Sequence, residues 1–198
     1  MEKYLLAPFL IDKLGQNDSF RRFFAWLLRA LAAIGALAAL VVFFLGWKDL
    51  FEMSSTAMTG GILYQLSFVA AAYVAVHCTL LRATQVKESS SAMPAALCVA
   101  TIVLKLAGET WGLASALLGS GGAVYVWFAG RDAQVLLERM GVFFPFLQAG
   151  PASFFSGAAL IIQGILYGAL ALLLGYLSSE LLQLLPVSHK DEKGVAVQ

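Results

Sequence analysis

The 198 residues are 60% hydrophobic and 13% charged, with a formal net charge of +1 at pH 7 and a mean hydropathy of +0.81. Soluble globular domains carry about 25% charged residues, so this composition excludes an ordinary water-soluble globule and predicts an integral membrane protein. The near-neutral charge provides no basic field for DNA or RNA, and we expect no nucleic-acid partner.

The first 22 residues are expected to form a cytoplasmic or interfacial segment. Within them, Tyr4–Leu14 (YLLAPFLIDKL) contains an apolar stretch that is too short and too interrupted for the apolar core of a signal peptide, so we expect no cleavage. Such a segment can bury one side in the membrane interface. Docking against a partner subunit is an equally good interpretation.

Four apolar segments are long enough to cross a bilayer, which requires about 20 helical residues. Backbone groups in hydrocarbon must hydrogen-bond within the protein, so these segments are predicted to be helices. The spans are predicted at about Phe23–Leu45, Gly61–Leu81, Ala92–Leu118 and Ser156–Leu182. The sequence therefore predicts an all-α integral membrane protein with four transmembrane helices in a compact bundle over residues 23–185.

The end of the third span is the least clearly marked boundary. We place it at the glycine-rich stretch Gly119–Gly122, because glycine is a poor helix former. The apolar run continues to Phe128, so one long tilted helix, or a span followed by a re-entrant piece, is also compatible with the pattern. Beyond it, Val135–Phe146 is predicted to lie on the interface or on a partner, and residues 186–198 to form a mobile polar tail.

The distribution of lysine and arginine predicts the orientation, since cytoplasmic flanks carry the excess of these residues. Three of them lie on the side of the first loop and the 119–155 connection: Lys48, Arg131 and Arg139. Nine lie on the other side: Lys3, Lys13, Arg21, Arg22, Arg29, Arg82, Lys87, Lys190 and Lys193. Both termini are therefore expected to be cytoplasmic, and the richness in Ala, Leu and Gly fits a bacterial inner membrane.

Small residues recur at four-residue spacing on three of the predicted helices, and such rows allow close helix approach in lipid. The candidate packing residues are Ser67, Ala71 and Ala75 on the second span, Gly108 and Gly112 on the third, and Gly164 and Gly168 on the fourth. The pattern favours a compact bundle or a subunit interface.

Lys105 and Glu109 are two opposite charges inside the third apolar run. Their i, i+4 spacing places them on one helix face, and a span over 92–118 places Lys105 near its midpoint, where a charge costs about 2.5–3.5 kcal/mol. The pair is either a functional site, such as a proton or ion relay or the polar wall of a substrate site, or a structural pair that fixes helix packing. We favour the structural interpretation.

Other chemistry is weakly represented. His77, with Cys78 and Cys98 at similar predicted depth, is a low-probability ligand, and we expect no metal and no cofactor. No HExxH, GxSxG or phosphate-binding loop is present in the sequence, so we expect no enzymatic activity.

These observations predict a non-catalytic membrane protein that acts as an accessory, scaffolding or assembly subunit of a larger complex. Its expected partners are the lipid bilayer and other membrane subunits or further copies of itself. The alternative is a small oligomeric transporter or channel that uses Lys105 and Glu109, and a lipid- or quinone-associated enzyme ranks third.

Overall fold

The structure is a computed structural model that describes residues 17–51, 53–89, 94–133 and 151–195. Within these residues it is entirely helical, with a short 3-10 helix at Gly130–Ala133. The four α-helices are α1 (Asn17–Leu50), α2 (Ser55–Glu88), α3 (Ala95–Ala129) and α4 (Phe154–Val195). All four are long and apolar enough to cross a membrane, as the composition predicts.

The helix ends follow ordinary capping chemistry. The Ser54 hydroxyl accepts a hydrogen bond from the amide of Ala57 at the start of α2. Pro94, which has no amide hydrogen to leave unpaired, precedes α3, and its carbonyl accepts from the amides of Leu97 and Cys98. At the other end of α3, Gly130 adopts a φ of 54°, which a residue with a side chain rarely tolerates.

The helix α3 is central, because it packs against both α2 and α4, whereas α1 packs mainly against α2. One buried cluster joins the beginning of α1 (Ala25, Leu28) to the end of α2 (Ala83, Val86) and to the first half of α3. A second buried cluster, at the opposite end of the bundle, contains Leu118, Tyr125 and Val126 of α3 and Leu160 of α4.

The break predicted at Gly119–Gly122 is wrong, because α3 continues to Ala129, as the alternative of one long helix anticipates. A Cβ atom at Gly119 would stand 2.8 Å from the carbonyl oxygen of Leu160 on α4, and one at Gly121 would stand 2.5 Å from the Cβ of Ser67 on α2. These glycines permit two helices to approach α3 at once, and that packing outweighs their poor helix propensity.

The other predicted boundaries fall inside longer helices. The side chains of Arg82 and Lys87, assigned to a loop by the sequence, belong to α2, and the backbone of the expected tail is helical as far as Val195. The predicted interfacial segments Tyr4–Leu14 and Val135–Phe146 lie outside the described residues.

Large apolar side chains cover the outer surfaces of the bundle. Ile34, Leu37 and Phe44 on α1 and Leu166 and Leu173 on α4 are all more than half exposed. A water-soluble monomer rarely exposes contiguous apolar faces of this extent, and together with the helix lengths this surface indicates a membrane protein.

Candidate functional site

Five charged or polar side chains of the apolar helices meet at one place, where α2, α3 and α4 come together. We call this group the polar cluster and define it as Arg82 and Gln85 of α2, Lys105 and Glu109 of α3, and Tyr176 of α4. Arg82 and Gln85 are one helical turn apart, as are Lys105 and Glu109, so each helix presents its two residues on one face.

Arg82 and Glu109 form the centre of the cluster. The Nε of Arg82 donates to Oε2 of Glu109 at 3.0 Å, and its Nη2 donates to Oε1 of the same carboxylate. This is a two-pronged, charge-assisted interaction, the geometry in which an arginine binds a carboxylate most strongly. Both side chains are only 14% exposed, so the pair is largely shielded from its surroundings.

Tyr176 and Gln85 complete the hydrogen bonding of this pair. The Tyr176 hydroxyl donates to Oε1 of Glu109 at 2.6 Å and accepts from Nη2 of Arg82 at 3.2 Å. Gln85 accepts from Nη1 of Arg82 at 2.5 Å. Three helices are thereby connected through polar atoms, and both carboxylate oxygens of Glu109 are occupied.

The i, i+4 spacing suggests that Lys105 pairs with Glu109, but its ammonium group lies over the ring of Tyr176. Its Nζ lies 5.3 Å from the ring centroid of Tyr176, within the range of a cation–π interaction. Among the described residues, the salt bridges are Arg82–Glu109 and the exposed Arg22–Asp18 pair. The carboxylate of Glu109 is therefore paired with α2, and Lys105 leaves the cluster with a formal charge of +1.

The cluster also lies away from the middle of the helix. Since α3 runs over Ala95–Ala129, its midpoint is Gly112 rather than Lys105. Lys105 precedes that residue by seven positions, or about 10 Å at the rise of an α-helix. The basic end of a lysine at such a position can extend toward the nearer membrane surface, which lowers the cost of its charge.

The predicted glycine pairs lie at the contact between α3 and α4. A Cβ at Gly112 would stand 2.7 Å from the carbonyl oxygen of Gly168, and one at Gly164 would stand 2.6 Å from that of Ser115. Gly108 lies in the same way against Gly175 and the carbonyl of Ala171. The backbones of the two helices are thus in direct contact, and this contact holds Glu109 and Tyr176 at a fixed separation.

The small residues of α2 are divided between two neighbours. Ser67 lies against Gly121 of α3, and Ala71 is buried in the cluster with Leu118. Ala75 borders a cavity between α1 and α2, and Ala71 borders it as well. Only part of this row therefore contributes to direct helix contact.

The candidate ligand His77 has an aromatic neighbour on its own helix. Its ring stacks on that of Tyr73, one turn earlier, at a centroid distance of 5.6 Å. Cys78 and Cys98 are free thiols with intermediate exposure. In the described part of the chain, no three His, Cys, Asp or Glu side chains are grouped so that they could hold a metal ion.

An apolar cavity of about 740 Å³ separates the middle of α1 from α2 and α3. Its walls are mostly alanine, glycine and branched aliphatic side chains, with Gln65, Tyr64 and Thr79 as the polar exceptions. None of the described residues lining it carries a charge, and the polar cluster does not border it.

Comparison with protein-family models, with curated proteins and with solved structures gives no significant match for this chain. The features of the described residues that can serve a function are an ion pair, an apolar cavity and two broad apolar faces.

Sequence reasoning missed Arg82, Gln85 and Tyr176 as members of the cluster. Arg82 follows the apolar pair Leu80–Leu81 and precedes Gln85 by three residues, which is a detectable sign of a helix that continues with one polar face. Tyr176 has no comparable signal, because a tyrosine in an apolar helix is common and its partner is set by the register between α3 and α4.

Proposed function

We propose that this protein is a non-catalytic subunit of a membrane complex, in which a rigid core of α2, α3 and α4 presents apolar helix faces to another membrane protein. The observation that carries the proposal is the hydrogen bonding of Glu109. Its two carboxylate oxygens are held by Arg82 and Tyr176 from two other helices, so the charge serves to join helices.

A second observation favours this function over transport. A transported ion or polar substrate needs a polar path, yet the 740 Å³ cavity of the described residues is bounded by uncharged and mainly apolar side chains. The direct backbone contact at Gly108, Gly112 and Gly119 leaves no space for a path between α3 and α4.

The faces offered to a partner are those of α1 and α4. Leu37 on α1 is 64% exposed and Leu173 on α4 is 59% exposed, each within a row of exposed aliphatic residues. Helices associate in lipid by packing such faces together without any catalytic group. On this proposal the protein resides in a bacterial inner membrane, with both termini in the cytoplasm.

Site-specific photo-crosslinking in cells tests the proposal. A photoreactive amino acid at Leu37 or at Leu173 should give one discrete heteromeric product, and its partner should copurify at a fixed ratio in mild detergent. The same amino acid at Ser115, which is buried between helices, is the matched control and should give no intermolecular product. A pure homo-oligomer without a second protein would overturn the proposal.

The transport alternative predicts a different result. Lys105→Met and Glu109→Gln would then abolish flux in proteoliposomes while assembly stays intact. If Glu109 is structural, Glu109→Gln should lower both the thermal stability and the copurification of the partner. Lys105→Met should then change both only slightly.

A further inference from the structure

The cavity between α1, α2 and α3 has the form of a binding site for a long apolar ligand. The helix α1 is packed at its two ends, through Ala25 and Leu28 at one end and Leu50 at the other, whereas its middle stands away from α2. The space between them, about 740 Å³ in volume and partly open to the surroundings, falls within the size range of small-molecule sites. An apolar cavity of this kind does not attract water.

The dimensions of the cavity match an extended chain. Its lining on α1 runs from Leu31 to Gly46, and its lining on α2 runs from Tyr64 to Thr79. At the rise of an α-helix, either stretch is about 20 Å long. Small residues on both walls, such as Ala38 and Ala72, leave a narrow channel along the helix axes.

One end of the cavity carries a polar side chain, Gln65, that faces an otherwise apolar wall. Gln65 is only 8% exposed, borders the cavity, and has no hydrogen-bond partner among the described residues. Its amide nitrogen lies against Gly46, where a Cβ atom would collide with it. An amide on an apolar wall that has no water within reach gains free energy when it meets a hydrogen-bond acceptor, so this position suits a ligand that supplies one.

At the opposite end of the cavity, the polar group of Thr79 already has a hydrogen-bond partner. The Thr79 hydroxyl donates to the carbonyl of Ala75 at 2.7 Å and is therefore satisfied within its own helix. A ligand that fits both ends is polar at Gln65 and wholly apolar toward Leu31 and Thr79.

The depth of Gln65 indicates which ligand this is. Gly46, against which the amide packs, is followed directly by Trp47, and tryptophan is typical of the boundary between hydrocarbon and headgroups. The ester carbonyls of glycerophospholipids occupy that boundary, with their acyl chains directed inward. We propose that the cavity binds one acyl chain of a glycerophospholipid, whose ester carbonyl accepts a hydrogen bond from Nε2 of Gln65.

Native mass spectrometry of the full chain, purified from membranes and washed with detergent, tests this assignment. Wild type should retain one phospholipid per chain. Gln65→Leu should lower its occupancy about three- to tenfold, as expected for one lost hydrogen bond. Ala38→Phe, which fills the cavity, should abolish retention. Ala36→Phe is the matched control, because Ala36 is an exposed residue of α1 that does not line the cavity, and it should retain the lipid.

Three results would overturn the proposal: no lipid on washed wild type, equal retention in Ala36→Phe and Ala38→Phe, or an isoprenoid quinone in place of the phospholipid. A second experiment needs no variant and so does not depend on folding of Ala38→Phe. Phospholipid with a photoreactive acyl chain should label residues 31–46 and 64–79 in preference to the outer face of α4. Even labelling of all exposed helix faces would contradict a specific site.

Discussion

The guanidinium of Arg82 on α2 donates hydrogen bonds to both carboxylate oxygens of Glu109 on α3, although the two residues are 27 positions apart in the chain. Each side chain is only 14% exposed. Removing one member of such a pair leaves the other charge without compensation, whereas removing both can be nearly neutral. The pair therefore fixes how α2 and α3 are packed without necessarily adding net stability.

We predict that Arg82→Leu and Glu109→Leu each lower the free energy of unfolding by about 3 kcal/mol, because each leaves one poorly solvated charge. The double variant should recover at least half of the combined loss. Thermal unfolding in lipid nanodiscs measures all three. A double variant whose loss equals the sum of the single losses would contradict the structural role of the pair.

The exposed pair Arg22–Asp18 provides the control for this cycle. Its side chains are 75% and 78% exposed, and its oxygen–nitrogen distance is 3.1 Å. Exposed pairs of this kind contribute about 0–1 kcal/mol. Arg22→Gln and Asp18→Asn should therefore change stability little, and the double variant should show no recovery to measure.

Much of the architecture is predictable from composition, because the need for about 20 apolar residues per crossing determines where four helices lie. The pairing of Glu109 is not predictable in the same way. Lys105 is its neighbour at i, i+4 in sequence, but Arg82 is brought to it by the register between two helices. Gly119–Gly122 is a similar case, since glycine signals a helix end locally and a helix contact only when the neighbouring helices are known.

Replacing a glycine by alanine should have opposite effects at the contact between α3 and α4 and at an open position on α1. Gly112→Ala should destabilise the protein by about 1–3 kcal/mol, because the new Cβ would meet the Gly168 carbonyl oxygen at 2.7 Å. Gly35→Ala on α1 should be neutral or stabilising by up to about 1 kcal/mol, since nothing lies within 4 Å of its Cβ and alanine is the better helix former. Unfolding midpoints compare the two, and equal losses would argue against close packing of α3 on α4.

The distribution of lysine and arginine also predicts the orientation of the helices in the membrane. Arg82 belongs to α2 and is neutralised by Glu109, so it should not be counted as a loop charge. Subtracting it from the nine residues on that side leaves eight, against three on the other. The excess is still large, and the end of α2 at Glu88 should face the cytoplasm while its beginning at Ser55 faces the opposite compartment.

Cysteine labelling in intact cells tests this orientation. In a background with Cys78→Ala and Cys98→Ala, Ser55→Cys should react with a membrane-impermeant maleimide. Glu88→Cys should react only after the inner membrane is permeabilised. Both positions are exposed and lie at opposite ends of one helix, so each serves as the other's control. Reaction of Glu88→Cys alone in intact cells would show the reverse orientation, and it would mean that the positive charges on the side of Arg21 and Arg22 do not determine the topology.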